Sequence, residues 1–203
     1  MPGPEPPTRI GIMGGTFDPP HVGHVAAARA VLEQLSLTRL LLVVANDPWQ
    51  KSGTRAVSPA EDRLALTEAV AAEVPGAEAS RIEIDRGGPS YSVDTAEQIL
   101  AEQGGGQAVT LYLVVGADLV PELETWHRHE DLRRLVTLAV VSRPTDVAPT
   151  IPAGWQVEWV GGPQVPVSSS EVRERLARGE SVEGLVPEGV IHCIERRGMY
   201  AVT

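Results

Sequence analysis

The sequence predicts an α/β protein with a Rossmann-like, doubly wound parallel sheet and helices on both faces of that sheet. Short apolar runs alternate with helical patterns along most of the 203 residues. Two of these runs, LLLVVA (40–45) and VTLYLVV (109–115), are apolar at nearly every position, which is typical of strands buried on both faces. A glycine-containing motif follows the first run directly, at the edge where such sheets bind ligands.

The first quarter of the chain predicts a strand, a helix and a second strand. RIGIMG (9–14) is a short apolar run that ends in glycine, and LLLVVA (40–45) is a fully apolar one. Between them, residues 22–37 carry apolar side chains at helical spacing. Residues 46–57, NDPWQKSGTRAV, are polar and are predicted to form a loop.

The second quarter predicts two helices around one strand and one turn. Residues 58–73 begin with Ser, Pro and acidic side chains, which is a typical helix start. RIEIDR (81–86) alternates between polar and apolar residues and therefore predicts a strand. GGPSY (87–91) predicts a turn before a helix at 92–103, which three glycines at 104–106 end.

The second half of the chain continues this alternation. VTLYLVV (109–115) predicts a buried strand, and DLRRLVTLAVVSRP (131–144) predicts a short helix followed by a strand. WQVEWV (155–160) predicts a further strand. The helices predicted at 168–179 and 187–200 have a Gly at the end of the first and a Pro at the start of the second.

Length and composition fit one domain. Hydrophobic residues make up 42% of the chain, enough for a sizeable core, although aromatic residues are only 4%. We therefore expect a single domain over 9–203, with a small helical part from about 165, preceded by a disordered, Pro-rich tail at 1–8.

Charge and cysteine content restrict the class of protein. The chain has 17 basic and 27 acidic residues and a net charge of −10, so we do not expect a basic face that binds nucleic acid. The one cysteine excludes an internal disulfide. The sequence has neither a signal-peptide pattern nor an apolar stretch of about 18 residues, so we expect no membrane span and a cytoplasmic location.

The motif GGTFDPPHVGH (14–24) carries the strongest indication of chemistry. Gly14 and Gly15 allow a sharp turn and close approach to a ligand, but the string is neither GxGxxG nor a P-loop. His21 and His24 straddle the start of the predicted helix, whose N-terminal amides favour an anion. A HxxH pair alone is more often structural, and no third ligand stands at a recognisable zinc spacing.

The whole string resembles the (T/H)xGH motif of the nucleotidyltransferase superfamily, in the form GGTFDPxHxGH of bacterial nicotinate mononucleotide adenylyltransferases. The resemblance implies a fold of nucleotidyltransferase type. It also implies that His21 and His24 lie beside the ATP phosphates and stabilise the transition state of adenylyl transfer. The residues of this motif implied to bind ATP are Gly14, Gly15, Thr16, Phe17 and Gly23, with Asp18 implied on the mononucleotide side.

VPVSSSEVRERL (165–176) resembles the ISSTxIR motif of the same family. Read by itself, Ser168 is a helix cap with Glu171 completing a capping box. With the first motif, the segment implies a triphosphate clamp made of Ser168, Ser169, Ser170 and Arg173, because amides at a helix start, hydroxyls and a guanidinium all bind phosphate. Arg173 is thereby predicted to act in catalysis.

Four weaker segments match the family in the expected order: GGPSYSVDT (87–95), VVGAD (114–118), ETWHR (124–128) and VSRP (141–144). GGPSYSVDT (87–95) resembles GxxSYTxDT, with Ser92 in place of Thr, and implies contacts with the pyridine nucleotide. Trp126 stands where the family stacks a Trp on the nicotinate ring, although alone it would equally be a core or lid aromatic. The implied mononucleotide residues are Ser90, Tyr91, Ser92, Asp94, Thr95 and Trp126, and the implied ATP residues are Gly116, Asp118 and Arg143.

One loop departs from the family pattern. Most members carry a PPHK-like sequence where this chain has NDPWQK (46–51). Lys51 keeps the cation and is predicted to contact phosphate, while Trp49 replaces part of the apolar or imidazole character. The role of this loop stays open.

The resemblance implies that the chain transfers adenylyl from ATP to nicotinate mononucleotide, with Mg²⁺ held mainly by the ATP phosphates. No protein nucleophile is expected. A phosphopantetheine adenylyltransferase, a glycerol phosphate cytidylyltransferase and a non-catalytic nucleotide-binding regulator remain the alternatives. The sequence leaves open the preference between nicotinate and nicotinamide, and it leaves open whether the chain forms a homo-oligomer.

Overall fold

Six parallel strands form one sheet within the residues that the computed structural model describes, which are 7–48, 57–103, 108–142, 148–162 and 165–200. The strands are β1 Thr8–Gly15, β2 Arg39–Val44, β3 Ala77–Ser80, β4 Val109–Gly116, β5 Val136–Ser142 and β6 Val157–Gly161. Their order across the sheet is β3-β2-β1-β4-β5-β6. This all-parallel, doubly wound arrangement confirms the predicted fold class.

Seven helices and one 3₁₀ segment accompany the sheet in the described part of the chain. The helices are α1 Val22–Gln34, α2 Ala60–Ala71, α3 Ile82–Arg86, α4 Ser92–Glu102, α5 His129–Leu135, α6 Ser169–Ala177 and α7 Glu188–Arg197. The 3₁₀ segment covers Ala117–Thr125, between β4 and α5, and periodicity alone did not predict it. Among these helices, none combines the length and the apolar character that crossing a bilayer requires.

The strand order reverses between β1 and β4. From β1 the chain moves outward to β2 and β3, and it then returns to place β4 on the other side of β1. The pairing of β1 with β4 runs from Thr8↔Val109 to Ile12↔Leu113 and does not include Met13–Gly15 or Val114–Gly116. The carboxyl ends of the two central strands therefore separate, which opens a crevice at the switch point.

Two apolar layers cover the two faces of the sheet. Leu40 and Leu42 of β2 belong to the layer that includes α1, α2 and α7, whereas Leu41 and Val43 belong to the layer that includes α4, α5 and the 3₁₀ segment. All four side chains are at most 4% exposed. This two-sided burial explains why the run LLLVV shows no alternation of polar and apolar residues.

The strand predicted at 81–86 was wrong. The third strand is Ala77–Ser80, and Ile82–Arg86 forms one helical turn instead. The Arg81 Nε donates to Asp85 Oδ1 at 2.8 Å across an i,i+4 spacing, which suits a helix and not a strand. Two isoleucines at i and i+2 were too short a pattern to separate the two structures, and the real strand, AEAS, lacks large apolar residues.

The C-terminal helices pack onto the layer of α1 and α2. Val190 and Cys193 of α7 are buried in that layer, and Arg197 binds Asp62 of α2 at 2.6 Å. The Val22 amide at the start of α1 donates to the Leu185 carbonyl at 2.9 Å. The C-terminal part thus lies directly beneath the first sequence motif.

Two segments named in the sequence predictions lie wholly or mostly outside the described residues. Most of the predicted tail 1–8 lies outside the described residues, although Thr8 already belongs to β1. The glycines 104–106 lie outside them as well.

Candidate active site

Two cavities open at the carboxyl edge of the sheet, on either side of the switch point. The larger has a volume of about 750 Å³ and the smaller about 280 Å³. Gly14, Val114, Val115 and Leu119 line both cavities. The cavities therefore meet at the ends of β1 and β4, which allows two ligands to approach each other there.

The loop after β1 is shaped by a buried aromatic ring. Phe17 has a left-handed backbone (φ 50°) and is 3% exposed. A Cβ added to Gly15 would lie 2.8 Å from the Phe17 ring, so the glycine is needed for this close approach. The ring also meets His24 edge-on, with ring centroids 5.2 Å apart, and fixes the imidazole from one side.

His21 and His24 line the larger cavity side by side. His21 is the N-cap residue of α1, and its backbone N–H donates to Nδ1 of His24 at 3.1 Å. Because Nδ1 accepts this hydrogen bond, the neutral His24 ring carries its proton on Nε2 and is a donor there. The ring centroids are 3.9 Å apart, and a Cβ on Gly23 would lie 2.9 Å from His21 Nδ1.

The second motif is brought against the first by α6. Ser168 caps this helix by accepting from the Glu171 amide at 3.1 Å, as its sequence predicted. Ser169 Oγ donates to the Pro19 carbonyl at 2.8 Å, across 150 positions of sequence. The carboxylate of Glu171 pairs with Arg175 at 3.2 Å.

Arg173 lies at the junction of the two motifs. Its Nη1 donates to the Asp18 carbonyl at 2.6 Å, and its Nη2 donates to Ser170 Oγ at 3.0 Å. The guanidinium thus fixes the loop that carries the histidines while it stands at the N-terminal end of α6. Both positions suit a cation that contacts phosphate.

Asp18 lies beneath the loop and is 1% exposed. Its carboxylate accepts the Tyr200 hydroxyl at 2.7 Å and the Ser58 amide at 3.4 Å. Burial, followed by the hydrogen bond to Asp18, raises the pKa of Tyr200 well above its usual range. The structure thus places the Asp18 side chain against protein groups, whereas the sequence comparison implied a contact with the mononucleotide.

Arg63 of α2 joins the loops around the site, and the sequence reasoning missed it. It is 1% exposed, and its guanidinium donates to the carbonyls of Thr16 (3.0 Å), Ala45 (2.7 Å), Asn46 (3.3 Å) and Ser58 (2.8 Å). These carbonyls belong to the loop after β1, the loop after β2 and the start of α2. An arginine inside a helical stretch with apolar neighbours was the only signal, and it does not reveal a buried guanidinium.

The smaller cavity is lined by the predicted mononucleotide residues Ser90, Tyr91, Ser92 and Trp126, and by His127. Tyr91 stacks on His127 with ring centroids 4.2 Å apart. Ser90 Oγ accepts the Asn46 amide at 2.8 Å, which joins the turn before α4 to the loop after β2. Nε1 of Trp126 is buried and has no hydrogen-bond partner among the described residues.

Asp94 and Thr95 do not line either cavity. Asp94 Oδ1 lies 3.5 Å from Nη1 of Arg128, and Thr95 Oγ1 donates to Glu83 Oε1 at 2.6 Å. Thr95 is 1% exposed. Both residues thus support the wall of the smaller cavity from behind.

The structure places the remaining predicted ATP residues in different parts of the molecule. Gly23, Gly116 and Asp118 line the larger cavity, whereas Gly15 and Thr16 line the smaller one. The predicted clamp residues line neither cavity: Ser168, Ser169, Ser170 and Arg173. Lys51, Trp49 and Arg143 lie outside the described residues. Within the described ranges, no three His, Cys, Asp or Glu side chains come together in a way that would hold a metal ion.

Comparisons with known proteins agree on one family. A family model described as cytidylyltransferase-like matches residues 12–175. A probable nicotinate-nucleotide adenylyltransferase from Acidothermus cellulolyticus is 38% identical over 200 residues, covering 96% of this chain and 95% of its own. A protein of the same name from Streptomyces coelicolor is 42% identical over 192 residues, covering 93% and 98%.

Solved structures show the same fold. A Plasmodium falciparum nicotinic acid mononucleotide adenylyltransferase complexed with NaAD matches with a TM-score of 0.77 at 16% identity, over 95% of this chain and 97% of that one. A Vibrio parahaemolyticus protein, described as a putative nicotinate-nucleotide adenylyltransferase, matches with a TM-score of 0.65 over 95% of both chains.

Proposed function

This chain belongs to the nicotinate-nucleotide adenylyltransferase family, and we propose from that membership that it transfers the adenylyl group of ATP to nicotinate mononucleotide. The products are nicotinate adenine dinucleotide and pyrophosphate, and the step belongs to NAD biosynthesis. The observation that carries the proposal is the meeting of two cavities at Gly14, beside the two histidines.

The larger cavity suits ATP and the smaller one suits the mononucleotide. A phosphate oxygen of the mononucleotide attacks the α-phosphorus of ATP at the junction. A new P–O bond forms to the α-phosphorus, and its bond to the oxygen that bridges to the β-phosphate breaks, which releases pyrophosphate. No protein nucleophile is required, and Cys193 is buried in α7 away from both cavities.

Catalysis then rests on position and charge. Nε2–H of His24 donates to a phosphate oxygen, held in that tautomer by the His21 amide. His21 lies beside His24 at the N-terminal end of α1, where the helix dipole also favours an anion. These groups stabilise the charge that develops as pyrophosphate leaves.

Arg173 and the start of α6 are proposed to hold the outer phosphates. Arg173 is anchored to the Asp18 carbonyl and to Ser170, so its position is fixed before ATP binds. Pre-organised cations are effective because their orientation costs little when the charge develops. Lys51 is proposed as a further phosphate contact, on its sequence position alone.

Mg²⁺ is proposed to arrive with ATP. The described residues hold no cluster of three metal ligands, so the phosphates themselves are the fitting ligands. When bound there, the ion neutralises phosphate charge, which matters in a protein of net charge −10.

The negative net charge also supports small molecules, and not nucleic acid, as the binding partners. We propose that the protein works in the cytoplasm.

The test is pyrophosphate release with ATP and Mg²⁺, with nicotinate mononucleotide, nicotinamide mononucleotide and phosphopantetheine compared in parallel. We expect turnover with the nicotinate compound and intersecting initial-rate patterns, because both substrates must be bound together for direct transfer. Turnover with phosphopantetheine alone would overturn the substrate assignment. No turnover with any acceptor, in folded protein that binds ATP, would favour the regulator.

A further inference from the structure

Glu83 is a buried carboxylate in the wall of the smaller cavity. It is the second residue of α3, which follows β3 at the same carboxyl edge of the sheet as the other site residues. The residue is 7% exposed. Among the described residues that line this cavity, it is the only one with a carboxylate.

The hydrogen bonds of Glu83 leave acceptor capacity on its carboxylate. Oε1 accepts the Thr95 hydroxyl at 2.6 Å and lies 3.9 Å from Nη2 of Arg86. Arg86 itself donates to Thr95 Oγ1 at 3.2 Å and to Gln98 Oε1 at 3.3 Å. Oε2 accepts no hydrogen bond from the described part of the chain.

A buried carboxylate is unfavourable unless hydrogen-bond donors surround it. One hydroxyl and one guanidinium at 3.9 Å satisfy one of its two oxygens. A ligand that fills this cavity and offers a hydroxyl would supply a donor to the other oxygen. The wall is therefore built to recognise a hydroxyl-bearing ligand.

The chemistry of a pyridine mononucleotide identifies which part of it meets Glu83. The phosphate and the pyridine carboxylate are anionic, so a carboxylate repels them, and the aromatic ring has no strong donor. The ribose hydroxyls are donors that a carboxylate binds through charge-assisted hydrogen bonds. We propose that Glu83 binds a ribose hydroxyl of the mononucleotide and so selects ribonucleotides over deoxyribonucleotides, an inference that rests on the proposed function.

A purely structural role for Glu83 would be to hold Thr95 and thereby α4. Two variants separate the roles. In E83Q the amide oxygen still accepts the Thr95 hydroxyl, but the charge that strengthens a bond to the ribose is gone. In T95V the hydroxyl is gone while the carboxylate stays, so T95V is the matched control for damage to the wall.

The experiment measures kcat/KM for nicotinate mononucleotide and for its 2′-deoxy and 3′-deoxy analogues, with wild type, E83Q and T95V. We expect wild type to lose about 10- to 100-fold with at least one deoxy analogue, because a charged hydrogen bond is lost. In E83Q that penalty falls by roughly tenfold, since a neutral hydrogen bond contributes less. T95V is expected to lower activity with all three substrates by the same factor and to keep the deoxy penalty.

Two results would overturn the inference. One is a wild-type enzyme that uses both deoxy analogues as well as the ribonucleotide, which needs no variant to fold. The other is an unchanged deoxy penalty in E83Q, or a penalty that T95V removes equally. Failure of the proposed function is distinguishable from both, because wild type would then release no pyrophosphate with nicotinate mononucleotide at all.

Discussion

At the scale of single residues, His24 uses its two ring nitrogens for different purposes. Nδ1 accepts the His21 amide and completes the start of α1, while the ring lines the larger cavity, where Nε2–H is the proposed phosphate donor. The same hydrogen bond thus stabilises the helix and selects the tautomer. One side chain thus contributes both to the stability of α1 and to the proposed chemistry.

Replacing His24 separates these two effects. H24A is expected to lose about 1 kcal/mol of stability with the cap, and on the order of 10²–10³ in kcat with the phosphate donor. In H24N the amide oxygen takes the place of Nδ1 and accepts the His21 amide, so we expect stability to recover while kcat stays low. Urea unfolding measures the stability, and pyrophosphate release measures kcat. A near-normal kcat in either variant would contradict the role of His24.

The pair of Asp18 and Tyr200 makes stability depend on alkaline pH. The Tyr200 hydroxyl donates to the buried carboxylate, and its pKa is raised above the ordinary value of 10.0 by burial and by that bond. Above pH 10 the unfolded chain has released this proton while the folded chain keeps it. The folded state then binds more protons, so stability falls as pH rises past 10 and is fully present below it.

Y200F tests this coupling. Loss of a hydrogen bond to a buried carboxylate is expected to cost about 2 kcal/mol of stability near neutral pH. The difference between wild type and Y200F should shrink from about pH 10 upward, because only wild type loses this contribution there. Urea unfolding from about pH 8 to about pH 11 measures it. A difference that stays constant over this range would show that Tyr200 is not held as described.

At the scale of elements, one arginine joins α4 to the segment before α5. Arg128 has a left-handed backbone (φ 50°) and follows Trp126 and His127, which line the smaller cavity. Its guanidinium binds Glu97 of α4 at 2.7 Å and Asp131 of α5 at 2.9 Å. The position of the aromatic pair therefore depends on an ion-pair network at the surface.

R128A is expected to raise KM for the mononucleotide several-fold while stability changes little, because exposed ion pairs contribute little to folding. Added salt should raise the wild-type KM in the same direction, since it screens these charges. The matched control is R134A, which removes a more exposed arginine whose one ion pair among the described residues is with Asp131, at 2.8 Å. An equal change of KM in R134A would show that the network does not position the cavity wall.

At the scale of the whole molecule, the topology produces the junction of the two cavities. The strand order runs outward from β1 on one side and from β4 on the other, so the chain leaves the ends of these two strands in opposite directions. Gly14 lies near the end of β1 and lines both cavities. A Cβ placed on it would meet no atom of the described residues within 4 Å.

The G14A variant tests whether the two ligands meet beside Gly14. Stability should be unchanged or higher by up to about 1 kcal/mol, because alanine has less freedom in the unfolded chain. The methyl group would occupy the junction, so we expect kcat/KM for ATP and for the mononucleotide both to fall at least about tenfold. G15A is the contrasting variant, since its methyl would meet the Phe17 ring and lower stability as well. Full activity in G14A would place the junction elsewhere.

Much of the fold was predictable because its signals are local. The buried strands β2 and β4 and the helices α1 and α4 follow from apolar runs and periodicity that tertiary contacts do not override. The pattern does not predict the third strand because AEAS has no large apolar residue. RIEIDR has the alternation of a strand because one helical turn is too short to display its period.

The sequence by itself determined the fold class and the two motifs, since both depend on residue types at short spacing. Only the tertiary structure decided that Arg173 binds the Asp18 carbonyl and that Asp18 faces Tyr200. It also decided that Arg63 joins the loops around the site and that Glu83 lines the smaller cavity. These contacts join residues from different strands and helices. Their partners are chosen by strand order and helix packing, which no local pattern encodes.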